Sequence, residues 1–445
     1  MLINDVKRSR TSQMGPAGLA LIGEMARVSG LDDLARKSKA KQPNITYPEI
    51  LRTLCGLLCQ GKTDFDQVKG YQEDLFFQTS LGLDRIPSAE ILRQRFKELS
   101  LETELEDKLP GCSVALWQQT EVETEYIISD ERRWVRLDID AVIYDNEDTK
   151  KEGAAFAYNG QFGFNPLFAH LGGGWMVNAK LRPGNAHCLA EGTRDFIHES
   201  LELGSSMVQD PLLLVADSGF DSQDVIRSLV QTENTDLIIK HNQRGTKDQA
   251  WLKTARENAS EEPEELHKRR KTQTVYRGSI YKEVKGLADP VRLVFEVTET
   301  TKKKGRPLLS PEITAFSAWT TLDLPEREIL RIYRDRGTSE QYHAEFKTEM
   351  DMERLPSGRF KVNSTFLRLG MLVYNMLKVL GRDMVLFKAL GLKKATRRRM
   401  KTVMCSLILM CGKIVKHARR IEIHLDCPDP WYMLYKQLFA KLKSV

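Results

Sequence analysis

The sequence predicts an α/β protein whose mixed core is interrupted by a β-rich block and flanked by helical regions. Three observations predict it. From 126 to about 241, short apolar runs of strand character alternate with helical patterns. From 242 to 324 one strand-like run follows another. Residues 1–125 and 383–445 carry apolar residues at helical spacing, leaving 325–382 as a second, helical part of the core.

Taken in order, Pro16 to Val28 is rich in Ala and Leu and stops at Gly30. Pro48 opens a second helix through Leu51, Leu54, Leu57 and Leu58 that ends near Gly61. Ser88 is placed to cap a third, with Leu92, Phe96 and Leu99 as its apolar stripe and Arg93, Arg95 and Lys97 among them. Short helices with interspersed cations fit a DNA-binding domain, and equally a packing domain.

In the core, Trp134 to Val142 alternates. Leu137 and Ile139 share one face, and Asp138 and Asp140 share the other. Two aspartates on one strand face are unusual, because Asp is disfavoured in strands. Hairpin-like segments follow at 156–158, 163–171 and 175–181, then a turn at Arg182-Pro183-Gly184-Asn185. Pro211 to Ala216 is a continuous apolar run, fit for a strand buried on both faces, and it ends abruptly at Asp217. The C-terminal end of a buried strand is where open α/β sheets place ligand groups. Asp221 or Ser222 suits the N-cap of the helix through Val225, Ile226 and Leu229.

The β-rich block holds a charged stretch, 257–271, and strand-like runs at 274–284, 291–298 and 313–322. Between the last two, Lys302, Lys303, Lys304 and Arg306 form a basic loop that either is solvated or meets a DNA backbone. Trp319 fits a buried core position better than a base-stacking one. From Lys388 to Arg420 there are many cations and no acids. Lys393, Lys394, Arg397, Arg398, Arg399 and Lys401 precede an apolar helix at 403–410, and Lys413, Lys416, Arg419 and Arg420 follow it. A block of one sign repels itself unless it meets a polyanion, which makes DNA the fitting partner.

Read as one helix at ~100° per residue, the stretch from Tyr333 to Lys347 puts Tyr333, Arg336, Glu340 and Lys347 within a ~60° arc. A face meant only to cover a core would carry leucines. This one suits a phosphodiester and a divalent metal: the carboxylate takes metal, and the cations and phenol hold phosphate oxygens. Glu345 and Glu349 fall on the other side and read as solvated charges.

The spacing Tyr-x2-Arg-x3-Glu-x6-Lys resembles a signature of DDE transposases of bacterial insertion sequences, in the branch whose ribonuclease H-like core is split by a β-rich insertion. Leu137-Asp138-Ile139-Asp140 is similar to that family's first catalytic strand, and Ala216-Asp217-Ser218-Gly219-Phe220 to its second catalytic motif. Asn363 through Leu377 resembles the packing helix after the glutamate, so the likeness covers roughly 130–380. One departure stands: the family has Thr or Ser two positions after the first aspartate, where Asp140 is followed by Ala141-Val142. The resemblance implies Asp140, Asp217 and Glu340 as catalytic metal ligands, with Asp138 the alternative first aspartate. It also implies two Mg²⁺ ions (Mn²⁺ able to substitute) and cut-and-paste DNA transposition. The partners it implies are double-stranded terminal-repeat and target DNA and a second copy in a synaptic complex. A ribonuclease H-like nuclease without strand transfer and a non-catalytic DNA-binding relic are the alternatives.

The bulk properties agree. A net charge of +6 over 445 residues is too mild to identify a partner by itself. The seven cysteines are scattered with no CxxC pair, which fits a reducing cytoplasm without structural disulfides, and the resemblance implies a bacterial, nucleoid-associated setting there. Residues 1–8 lack the apolar stretch of a signal peptide. The run from Phe366 to Leu380 carries Arg368 and Lys378 and is too short to cross a bilayer. No HExxH, GxSxG or Walker A pattern competes for the chemistry. His170 and His187 lack partners at ligand spacing and read as core or surface histidines.

Overall fold

The computed structural model describes residues 14–38, 43–129, 132–243, 245, 248–418 and 420–445. The readings of residues 1–8 and of Arg419 lie outside that range. A short strand β1 (Met14–Pro16) leads into α1 (Gly18–Val28), α2 (Leu31–Lys37), α3 (Tyr47–Leu58), α4 (Leu75–Ser80), α5 (Ala89–Glu102) and α6 (Leu105–Gln119). Local chemistry sets their starts. Thr46 and Glu49 form a reciprocal capping box on α3. The Ser88 hydroxyl accepts the Ile91 N–H at the head of α5, as its position predicts.

Next come β2 (Tyr126–Ser129), β3 (Arg132–Ala141) and a small side sheet of β4 (Tyr144–Asp145), β5 (Ala155–Phe156) and β6 (Phe162–Phe164). The main sheet resumes with β7 (Leu167–Leu171) and β8 (Trp175–Lys180), then α7 (Thr193–Met207), β9 (Leu212–Ala216), α8 (Gln223–Val230) and β10 (Thr235–Lys240). In space these strands run β8-β7-β3-β9-β10. The first three are antiparallel neighbours, and β3, β9 and β10 are parallel. This is a ribonuclease H-like core. Every residue of β9 is buried, as its unbroken apolar run requires.

The inserted block comprises α9 (Asp248–Asn258), β11 (Glu264–Lys268), β12 (Lys271–Lys282), β13 (Val291–Lys303) and β14 (Arg306–Thr320). Its strands continue the core sheet, because β14 pairs antiparallel with β10. The charged stretch at 257–271 thus forms part of a helix and an edge strand. α10 (Glu326–Arg334) and α11 (Ser339–Ala344) follow, joined by a 3₁₀ turn (Asp335–Thr338) and continued by a π turn (Glu345–Glu349).

α12 (Phe360–Leu386) is buried almost all round and packs on α6 and β8. Its Asn375 amide bridges the Met176 N–H and C=O, satisfying the backbone of β8 at the sheet edge. The last region is not purely helical. After α13 (Met400–Val403) come a hairpin of β15 (Cys411–His417) and β16 (Arg420–Leu425), then α14 (Asp429–Ser444). β15 pairs with β1, and the Tyr435 hydroxyl of α14 donates to the Ala17 carbonyl. The dense cations at 413–420 obscure the alternation of Ile414, Ile421 and Ile423 that makes this hairpin. Among the described residues all seven cysteines are free, and no helix is long and apolar enough to cross a membrane.

Candidate active site

β3 and β9 run parallel with Ile139 level with Ala216, so Asp140 and Asp217 leave the sheet side by side, ~4.8 Å apart by strand spacing. Leu137, Ile139, Leu214 and Ala216 belong to one core cluster, and Trp134, Leu213 and Val215 to the other. Asp138, Asp140 and Asp217 therefore share the second face, beneath the segment from α10 to the π turn. Burial raises the Asp217 pKa, and the Asp140 charge raises it further. Asp217 Oδ1 accepts the Gly219 N–H at 2.9 Å, which fixes the carboxylate at the strand end.

The two aspartates of β3 differ. Asp138 lies level with Val215, is 3% exposed, and pairs with Arg136 Nε at 2.9 Å. Its Oδ1 has no hydrogen-bond partner among the described residues, and burial pushes its pKa up to about 6. Asp140 is more open. Arg336 Nη2 stands 2.8 Å from its Oδ2, and His343 Nε2 stands 3.5 Å away. Burial opposes its ionisation, but the His343 ring and the Arg336 charge outweigh burial and hold the carboxyl below the usual range.

The Tyr333–Lys347 stretch is continuous but not a regular helix. A 3₁₀ turn advances ~20° more per residue than an α-helix, roughly 80° over four residues. That rotation carries Glu340 off the Arg336 side and leaves it exposed, without a hydrogen bond or ion pair among the described residues, while His343 still faces Asp140. The single-face arc expected for Tyr333, Arg336, Glu340 and Lys347 is therefore broken at Gly337. Tyr333 packs on Phe316 and is half-buried. Arg336 also donates to the Ile139 carbonyl at 3.3 Å, and Lys347 Nζ lies 2.8 Å from both the Ile143 carbonyl and Glu353. Sequence reasoning missed His343, although its i,i+7 spacing from Arg336, ~20° apart on a regular helix, was a usable signal. Of the core or surface positions it allowed His170, the core one holds: the residue is buried with its ring 5.0 Å from that of His343.

The reading of Glu345 and Glu349 as solvated charges is wrong. The π turn is packed between the sheet and the C-terminal region. Glu345 is fully buried and accepts from Arg397 Nη1 at 2.6 Å. Glu349 pairs with Arg399 at 2.6 Å and accepts the Lys401 N–H. Arg397 also donates to Gln341 and lies over the Tyr342 ring, and Arg398 donates to the Lys393 carbonyl. Arg397 and Arg399, grouped by sequence with the DNA-contacting cations, fasten this segment from behind, while Arg398 braces its own loop. Lys393 and Lys394 are exposed and make no ion pair among the described residues.

In the insertion, Lys303 pairs with Glu312, while Lys304 and Arg306 are exposed and Lys302 half-buried at the β13–β14 turn. Trp319 is a core residue, donating to Asp221 at 2.9 Å. Asp221 also meets His241 and the Asn242 N–H, so the capping of α8 falls to Ser222. A cavity of about 600 Å³ beside Trp175, Lys378 and Leu438 includes none of the three candidate acids.

Among the described residues no three His, Cys, Asp or Glu side chains converge on one point fit for a metal. The donors nevertheless suit a hard divalent cation. Asp140 and Asp217 offer only carboxylate oxygens, and each penalises the other's charge. The Arg336 guanidinium supplies the neutralising cation beside Asp140.

A ribonuclease H-like sheet with paired carboxylates at adjacent parallel strand ends, under a cationic helical segment, defines a phosphoryl-transfer core. From residue 11 to residue 445 the sequence matches the family described as Transposase DDE domain group 1, and the chain belongs to that family. It is a DNA transposase, a DNA-binding polynucleotidyl transferase and endonuclease, of a family that works with divalent metal ions. No curated protein matches the chain. Among solved structures it is similar to a piggyBac transposase synaptic complex with hairpin DNA, at 11% identity and a TM-score of 0.38, covering 98% of this chain and 85% of that one.

Proposed function

We propose that Asp140, Asp217 and Glu340 are the catalytic carboxylates and hold two Mg²⁺ ions, with Mn²⁺ able to substitute. The observation that carries this reading is the placement of Asp140 and Asp217, level on adjacent parallel strands and on one face. Bound there, a metal pair activates water or a 3′-hydroxyl and stabilises the leaving oxygen of an in-line displacement. Asp138, buried on Arg136, has a supporting part. Glu340 is uncommitted and sits on the segment above the pair, three residues before His343. Arg336 leaves Asp140 for a phosphate oxygen when DNA enters, and Tyr333 and Lys347 hold the same backbone. Lys302, Lys304, Lys393 and Lys394 extend the contact along the duplex.

In this reading residues 1–125 bind DNA, 126–241 and 325–382 form the split core, 242–324 the insertion and 383–445 a basic flank. The reaction is cut-and-paste: nicking at the element's terminal repeats, then joining to target DNA by the freed 3′-hydroxyl, in a homodimeric synaptic complex at the bacterial nucleoid. The test is incubation with the flanking element DNA and Mg²⁺, with products resolved on a denaturing gel. Nicked and joined products that vanish in Asp217→Asn, while DNA binding persists, support the reading. Nicking without joining would leave a nuclease, and cleavage by Asp217→Asn at the wild-type rate would remove the site assignment.

A further inference from the structure

The distal end of the insertion carries two turns side by side. The β11–β12 hairpin closes at Lys268 opposite Lys271, and the β13–β14 hairpin closes at Lys303 opposite Arg306. The Gly305 N–H donates to the Arg270 carbonyl at 3.0 Å, so the two turns touch. Together they gather eight cations on one tip, seven of them exposed, and among the described residues only Lys303 of the eight pairs with an acid, Glu312. Sequence separates the two runs by more than thirty positions, and only the fold unites them. An assembly of like charges of this density is costly unless a polyanion meets it.

Immediately beside this tip the β13–β14 ladder breaks. Thr300 pairs with Glu312 and Lys302 with Pro307, leaving Thr301 opposite four residues, 308–311. The bulge presents Leu309, which is completely exposed. β14 pairs with β10 only at 318–320, with His241 and Gln243 bonding on to Ser317 and Ala315, so among the described residues no strand covers its outer edge at the bulge. Pro307 and Pro311, which lack an N–H, protect that edge against strand addition. Edge protection needs no leucine, and a polar residue would serve better. A bare apolar side chain, held out by a stiff bulge among exposed cations, is the arrangement with which proteins wedge a base step while the cations hold the flanking phosphates.

Resting on the reading that the chain acts on DNA, we infer that the insertion tip is a DNA-deforming wedge. Leu309 inserts at a base step from the groove, and Arg269, Arg270, Lys304 and Arg306 grip the backbone on either side. The site is separate from the carboxylates and gives the insertion a mechanical task, kinking the duplex.

The test uses the full chain and a duplex of about 30 base pairs, end-labelled with a fluorophore pair and carrying 2-aminopurine at successive positions. Wild type should shorten the end-to-end distance and brighten 2-aminopurine at one step, as unstacking does. Leu309→Ala should lose both signals while binding within ~3-fold of wild type, because phosphate contacts dominate affinity. Leu309→Phe should retain both. Arg269→Ala with Arg270→Ala should instead lower the slope of log K against log salt by ~1.8, at ~0.9 per phosphate contact. Leu309 touches nothing, so an unchanged melting curve for Leu309→Ala excludes misfolding as the cause. Bending and unstacking that survive Leu309→Ala overturn the wedge, as does a wild-type chain that binds DNA without distorting it. If Leu309→Ala abolishes self-association and leaves DNA bending intact, the tip is a protein-docking surface instead. Loss of DNA cleavage by Asp217→Asn is scored separately and does not bear on the wedge.

Discussion

Replacing Glu345 with Ala separates two descriptions of the segment that carries Glu340. A solvated glutamate on a helix surface would change stability by no more than ~0.5 kcal/mol. The structure gives a larger figure. Glu345 has no exposed side-chain surface, Arg397 donates to it at 2.6 Å, and Arg399 lies 3.6 Å away. Removing one member of a buried pair costs ~3–5 kcal/mol, because the remaining charge stays desolvated. Arg397 keeps 19% of its side-chain surface and recovers some hydration, and Glu345 itself is raised in pKa by burial. Both facts place the loss at the low end, ~3 kcal/mol. Urea unfolding, followed by tryptophan fluorescence, should show the midpoint fall with an unchanged slope. The double variant Glu345→Ala with Arg397→Ala should be less destabilised than the two single losses added, with a coupling of ~1–3 kcal/mol. A single-variant loss below ~0.5 kcal/mol, or strict additivity, would falsify the buried-clasp description.

Other outcomes follow from the same geometry. Asp140→Ala should eliminate cleavage with Mg²⁺ and Mn²⁺ alike, while Asp138→Ala should keep activity within ~10–100-fold of wild type, as losses behind a metal ligand do; the reverse result would shift the first ligand by two residues. Asp138 has a folded pKa of about 6 against ~3.9 unfolded, so the folded chain holds the extra proton between those values. Its contribution to stability is therefore present below ~4 and falls as pH rises to ~6. Unfolding of wild type and Asp138→Asn at several pH values should show the variant gaining relative to wild type across that window, and a flat difference would refute the shift. Lys393→Ala with Lys394→Ala should reduce the salt slope of DNA binding by up to ~1.8 without altering the unfolding midpoint. Arg397→Ala with Arg399→Ala should lower that midpoint, and equal effects of the two pairs would mean the clasp is absent.

Much of this fold is written locally. The alternation around Asp138 and Asp140, the unbroken run before Asp217 and the Ser88 cap each depend on neighbours in sequence, and each is found where expected. What the sequence hides depends on what lies opposite. Glu345 looks exposed until the segment at 397–399 is placed behind it. The 3₁₀ turn around Gly337 takes Glu340 off the Arg336 side, and no periodicity argument reveals a turn of 3.0 rather than 3.6 residues. The 411–425 hairpin is masked by its own lysines and arginines, since charge dominates the local pattern while β1, four hundred positions away, supplies the pairing. In the site, the two strand aspartates were legible because their register follows from strand alternation. The exposure of Glu340 was not, because it follows from a helical irregularity.

The pairing of β1 with β15 also sets an order of events during synthesis. Met14 bonds opposite Lys413, so the first described strand waits for a segment made roughly 400 residues later. At ~5–20 residues per second that delay is ~20–80 s. Throughout it the core sheet can assemble, but β1 and the end of the chain that answers it remain apart. A product broken off before residue 411 keeps Asp140, Asp217 and Glu340 yet leaves that strand with nothing to pair. It also lacks Arg397 and Arg399, if shorter still, to clasp the segment bearing Glu340. The 411–425 hairpin must therefore be made before β1 has its partner, and a fragment that stops short of it carries the candidate acids without that pairing.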